Sequence, residues 1–368
     1  MTQAALARPG PAAALTVIAA GRRRYAMLVI LGLIALCLAL IFLGVGVGAV
    51  SIPPGRVAGI LLARLTGGEA VLEGRETLVV LNIRLPRVLL GLLVGAGLAV
   101  SGALMQGLFR NPLADPGLVG VSAGAGLAAA ATIVLGDRLL GGAAARLPFA
   151  VLPFGAFCGG LISTLLLYLI ATRRGRTSVA TMLLAGVALG ALAGALTGLL
   201  AVISDDRQLR DLTFWSLGSL GGASWTKLAA VAPIILPLLF ALPLLARGLN
   251  GLMLGEAEAF HLGVPVQRIK ALAIVLVALA VGASVAAAGV IGFVGIVVPH
   301  LIRLALGPDH RLLLPLSALG GATLLVAADI VARLVVSPAE LPLGIVTAAM
   351  GAPFFLWLLL RRAHVVEI

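Results

Sequence analysis

Apolar residues come in long uninterrupted runs along this chain, separated by short stretches that hold most of the polar and charged side chains. Runs of roughly 20 apolar residues, the length a helix needs to cross a bilayer, occupy about 27–50, 85–108, 117–135, 148–171, 180–203, 228–246, 312–335 and 341–360. A further block, 271–306, is too long for one helix. Gly289, Gly292, Gly295 and Pro299 predict a break inside it. With two spans in that block the chain crosses ten times, as an all-α polytopic membrane protein with both termini in the cytoplasm.

Charge supports this count. The 368 residues are 61% hydrophobic and 11% charged, and 26 Lys and Arg against 14 Asp and Glu leave +12. With ten spans, Arg22–Arg24, Arg110, Arg173, Arg174, Arg176, Arg247, Arg268, Lys270, Arg303, Arg311, Arg361 and Arg362 fall on one side, as the positive-inside bias requires. One span fewer moves the last clusters outside. The excess charge is thus a topology signal, and with 4% aromatic residues the chain has no stacking platform for nucleic acid. Residues 1–26 are predicted as a cytoplasmic tail, 27–362 as one transmembrane domain and 363–368 as a second tail. The first run, at 24 residues, exceeds a secretory h-region and reads as a retained span. Outer segments are expected at 51–84, 136–147 and 204–227, the last with a short interfacial helix near Trp215 and Trp225.

Chemistry is sparse. Cys37 and Cys158 lie in apolar runs without neighbouring thiols, and His261, His300, His310 and His364 lack metal-ligand spacing, so no catalytic, cofactor or metal site is expected. Neither Lys227 nor Lys270 sits in a G-x-x-x-x-G-K-[ST] loop, so ATP is not bound that way. Ion coupling would need ionisable groups deep in the membrane, and Asp329 has Arg333 four residues on, the spacing of a helical ion pair. By elimination a transporter of this composition is driven by an external engine, with an ion-coupled secondary transporter as the rival reading and a membrane receptor or structural subunit as a third.

Three features stand out. In the longest cytoplasmic loop, 250–270, Glu256 and Glu258 favour the N-terminal turn of a short helix, which Gly263 and Pro265 end, with Phe260 and Leu262 on its face. Gly186, Gly190, Gly194 and Gly198 make a shallow ridge, open to helix packing, a subunit seam or a pathway. Between two spans, LFRNPLADPG places Pro112 and Pro116 where both helices stop, Asn111 where it can bond freed backbone groups, and Asp115 as the cap of the next helix.

The stretches 84–126, 255–264, 289–304 and 328–360 together resemble the permease subunits of ABC importers for iron chelates and cobalamin, the FecCD family, over nearly everything after about residue 50. The resemblance implies a homodimeric permease of type II architecture around a central pathway, in the bacterial inner membrane. Its implied partners are two cytosolic ATPase subunits that bind ATP and Mg, and one periplasmic binding protein. It makes 250–264 the loop coupling to the ATPase, with Glu256, Glu258, Ala259 and Gly263 on the loop's pattern. It assigns Asn111 and Leu113 to the cytoplasmic gate, with a second gate segment near 176–181. Arg84, Arg87 and Arg333, outer-side arginines that the charge bias disfavours, match positions that receive acidic residues of the binding protein; snorkelling to lipid phosphates is the alternative. Heme is the favoured cargo, with ferric siderophores next and cobalamin after them.

Overall fold

The computed structural model describes residues 11–48, 50–67, 74–140 and 148–366. Fifteen α-helices are described, here numbered α1 to α15 in chain order. Six of them are long and apolar enough to cross a membrane; α9 (Trp225–Phe240) and α10 (Leu242–Leu252), bent by 48° at their junction, make a seventh span, and Val121–Gly136, Val294–Leu306 and Leu343–Trp357 are shorter apolar helices. Together these are the ten apolar segments expected. Block 271–306 divides into α12 (Val266–Ala288) and α13 (Val294–Leu306), with Gly289 and Phe293 at positive φ in the break.

Several boundaries differ from the apolar pattern. Helix α1 (Pro11–Gly46) begins well before residue 27, so 11–26 continue the helix of the first span, while 1–10 lie outside the described residues. The helical stretch that carries the second span starts at Arg75, ahead of the apolar run at 85: α3 (Arg75–Leu78) passes through a wide turn at Val79–Arg84 into α4 (Leu85–Leu108). Polar Glu76 and Arg84 interrupt the apolar pattern here, and their partners, Arg56 and the carbonyls of Val45, Gly46 and Val50, lie elsewhere in the chain. Outer segment 51–84 therefore holds α2 (Pro54–Thr66) and the first turns of that span; its residues 68–73, and 141–147 of the next outer segment, lie outside the described residues. After a 3₁₀ turn at Pro116–Val119 come α5 (Val121–Leu140), α6 (Pro148–Ala171) and α7 (Val179–Val202). The interfacial helix is α8 (Asp206–Ser216), opened by a capping box between Asp205 and Gln208. At the other end α15 (Leu343–Val366) runs through most of the expected tail 363–368, and 367–368 lie outside the described residues.

Helix α4 is the axis of the bundle, buried along nearly its whole length and packed against α14 (His310–Leu334), α12, α13 and α9. Glycine permits the closest crossings. A Cβ on Gly95 would strike the Gly321 carbonyl, and one on Gly102 the Gly295 carbonyl, so backbones meet where a methyl has no room. Gly124 and Gly159 play the same part between α5 and α6. The ridge on α7 is different. Gly186 is buried, but Gly190, Gly194 and Gly198 face open space, with Leu184, Val187 and Val202 exposed on the same helix. Within one chain, the ridge is not where helices pack.

Candidate functional site

At the cytoplasmic end of the bundle, the stretch after α4 turns sharply. Arg110 takes a positive φ, Asn111 Oδ1 accepts from the Leu113 amide at 3.0 Å, and Asp115 Oδ1 accepts from the Gly117 amide at 2.7 Å. Asn111 and Asp115 thus satisfy backbone groups that the prolines leave exposed, as their residue types predict. Burial pushes the Asp115 carboxyl above its ordinary range, a push opposed by the Gly117 hydrogen bond. Asn111 and Leu113 are exposed at the tip.

The short helix expected in the 250–270 loop is present as α11 (Glu256–His261). Gly263 ends it at φ 79°, where the Val264 amide donates to Ala259 O. Phe260 and Leu262 stand 71% and 66% exposed, so an apolar surface faces outward, uncovered among the described residues. Ala259 points the other way. It is fully buried against Gly251, so it seats the helix on the bundle and its own methyl is not a surface contact.

Beneath α11 lies a junction that the sequence did not reveal. Lys270, on α12 and 1% exposed, donates to Glu256 Oε1 on α11 and to the Thr177 carbonyl. Gln267 Oε1, one turn earlier, accepts from the Thr177 amide at 3.1 Å. Thr177 belongs to a small antiparallel hairpin, Thr172–Arg173 with Arg176–Thr177, that leads directly into α7. The first turn of α12 therefore holds both the coupling helix and the hairpin before α7. In sequence Lys270 was legible only as one more cytoplasmic charge.

The outer end carries a second cluster. Arg87 donates to Asp329 from Nε and Nη2 at 3.0 and 2.9 Å, and to both oxygens of Glu340 at 2.8 and 3.0 Å. Arg333 pairs with the same Asp329 at 3.1 Å, the helical spacing expected, and donates to the Gly44 and Val47 carbonyls. Arg84 donates to the Val45, Gly46 and Val50 carbonyls at the end of α1. All three arginines are at most 7% exposed. The Arg333–Asp329 pair is the one that the helical spacing predicts, and Arg84 and Arg87 have internal partners as well. Only Glu340, with its side chain 42% exposed, opens the cluster to the surface.

A bundle of ten apolar helical segments with a short amphipathic helix exposed at its cytoplasmic end defines a multi-pass membrane permease. The chain belongs to the FecCD transport family, whose match spans residues 36–361. It is 52% identical over 291 residues to the hemin transport system permease protein HmuU of Yersinia pestis, covering 77% of this chain and 83% of that one. It is 48% identical over 281 residues to the cobalamin import system permease protein BtuC of Halobacterium salinarum, covering 76% and 73%. Its structure is similar to a metal-chelate type ABC transporter solved in an inward-facing conformation, with a TM-score of 0.75, 33% identity, and coverage of 90% of this chain and 99% of the other.

Proposed function

We propose that this chain is the permease of an ATP-driven importer that moves heme inward by alternating access, working as a homodimer with two ATPase subunits that hydrolyse ATP and a periplasmic binding protein. The observation that carries the reading is the 52% identity to a hemin permease across most of both chains. The 48% identity to a cobalamin permease favours cobalamin as the second cargo; ferric siderophores are the third.

Roles follow from placement. Phe260 and Leu262 are the apolar contacts offered to the ATPase, Glu258 is a polar flank, and Ala259, Gly263 and Glu256 hold the helix in shape. Asn111 and Leu113 form the cytoplasmic constriction when two copies meet, and the open glycine face of α7 suits a seam or pathway wall. Arg87 meets an acidic residue of a docked protein by giving up exposed Glu340, while Arg84 and Arg333 set the shape of that outer surface.

The test is ATP hydrolysis by permease, ATPase and binding protein reconstituted in liposomes. Heme is expected to stimulate it more than cobalamin or a ferric siderophore. Stimulation by cobalamin alone would replace the cargo, and proton-driven uptake by this chain without the ATPase would replace the mechanism.

A further inference from the structure

The bend between α9 and α10 opens a cleft toward α14. Pro233 and Pro237 lie inside α9 and Pro243 in the first turn of α10. Proline removes a backbone donor and crowds the preceding turn, so the helix breaks there and its axis swings by 48°. The resulting cleft has a volume of about 560 Å³ and is lined by Leu239, Leu242, Pro243 and Pro315 with Arg247 and Arg311.

Its chemistry is divided. One part is aliphatic, and beside it Phe240 and Leu244 stand 78% and 58% exposed, a surface suited to acyl chains. The other part carries two exposed arginines. Arg247 makes no ion pair or hydrogen bond among the described residues. Arg311 has the Asp309 carboxylate close by, but Asp309 Oδ1 is already engaged by Asn250 Nδ2 and by the Arg311 backbone amide. No acidic side chain lines the cleft. Because α10 leads into the 250–270 loop, the arginine end lies at the cytoplasmic headgroup level by the positive-inside bias.

We propose that this cleft is a binding site for an anionic glycerophospholipid, with an acyl chain along Leu239, Leu242 and Pro315 and the phosphate held between Arg247 and Arg311. The guanidinium fork suits phosphate oxygens, and basic pockets between helices on the cytoplasmic side are where anionic lipid headgroups bind. A free phosphate would use the arginines and leave the aliphatic part wet. A bound lipid spans α10 and α14, and so braces the helix that leads into α11. The site depends on membrane orientation and not on the cargo.

The assembled transporter, purified with its ATPase in detergent, is titrated with phosphatidylglycerol, phosphatidylcholine or soluble glycerol phosphate, and bound molecules are counted by native mass spectrometry. Phosphatidylglycerol is expected to bind, and phosphatidylcholine and glycerol phosphate are not. Arg247→Gln and Arg311→Gln should each weaken phosphatidylglycerol binding roughly fivefold, and the double variant roughly 25-fold. Arg173→Gln/Arg174→Gln, on the exposed hairpin turn, should bind as the unaltered chain does. Because both cleft arginines are exposed, the single variants are expected to melt within a few degrees of the unaltered protein. Unchanged lipid binding in the double variant overturns the site, as does equal loss in the hairpin control. Glycerol phosphate binding as tightly as the lipid overturns the lipid as its occupant.

Discussion

Arg87 and Asp329, 242 residues apart in sequence, meet through three hydrogen bonds inside the bundle, where α4 crosses α14. Neither side chain is more than 8% exposed, and the same guanidinium also holds Glu340. A single Arg thus joins the second span, the ninth span and the loop before the last. Removing one partner of a buried pair costs about 3–5 kcal/mol where the other charge is left alone, and because Asp329 keeps Arg333 the low end of that range applies. Arg87→Met should therefore lower the melting temperature sharply, and Glu340→Gln, at the exposed end, should cost about 1 kcal/mol or less. Equal melting of Arg87→Met and the unaltered chain would show that the cluster does not hold the fold.

This internal role changes how docking of a binding protein must be tested. Arg84→Glu and Arg87→Glu confound docking with folding, since each arginine holds buried partners. Glu340→Gln instead removes the charge that competes for one side of the Arg87 fork while Asp329 keeps the other. If Arg87 serves docking, Glu340→Gln should strengthen binding-protein affinity at low salt, with the gain fading as salt screens it. Identical affinity across a salt series would remove Arg87 from the docking surface.

Lys270 and the coupling helix give a graded pair. Lys270→Met removes a buried charged donor from Glu256 and from the Thr177 carbonyl, and hydrogen bonds to charged groups contribute about 1.5–3 kcal/mol each. Cargo-stimulated ATP hydrolysis should fall well below that of Glu256→Gln, whose side chain is 43% exposed and can still accept a hydrogen bond. Phe260→Asp should block ATPase capture while leaving the melting temperature unchanged. If Phe260→Asp still assembles fully, the exposed apolar face has another use.

Glycine substitutions separate packing from assembly. A side chain at Gly102 runs into the Gly295 backbone, and overpacking of this kind costs about 1–3 kcal/mol or more. Gly102→Val should fail to fold. Gly190→Val and Gly194→Val meet open space in one chain, so they should fold normally and show any defect in dimer assembly or transport. Cysteines at Asn111 and Leu113 should crosslink between copies in a nucleotide-dependent manner; separation in every state would remove the gate assignment.

Acid should loosen the loop between α13 and α14. The Arg311 amide and Asn250 Nδ2 hydrogen-bond Asp309 and hold its carboxyl below the ordinary range. A depressed folded value means that this stabilisation is present above the ordinary carboxylate pKa of about 3.9 and is lost as pH falls through the lower folded value. Protection of 307–312 from hydrogen exchange, taken relative to the intrinsic rate at each pH, should fall in that window, and Asp309→Ala should be poorly protected at every pH. Protection that stays constant with pH in the unaltered chain would contradict the assignment.

The order of apolar runs, the break inside 271–306, the prolines and Asx residues of the 109–117 turn, and the ends of the 256–261 helix are all local matters. Each depends on residues within one turn or one span, so the sequence alone determined them, and long motifs pointed to the family. Tertiary structure decided what those motifs do not contain. Glycine spacing on α7 left packing, a seam and a pathway all open, and the close crossings within the chain fall at Gly95 with Gly321 and at Gly102 with Gly295, because room for a methyl depends on which helix lies opposite. Arg333 could be paired with Asp329 from its helical spacing, but the partners of Arg84 at the end of α1 and of Arg87 on Asp329 and Glu340 came only with the fold. Lys270 read as a topology charge until Glu256 and Thr177 closed over it. In each case the deciding partner lies on another segment of the chain, and only the fold brings it within hydrogen-bond or van der Waals reach.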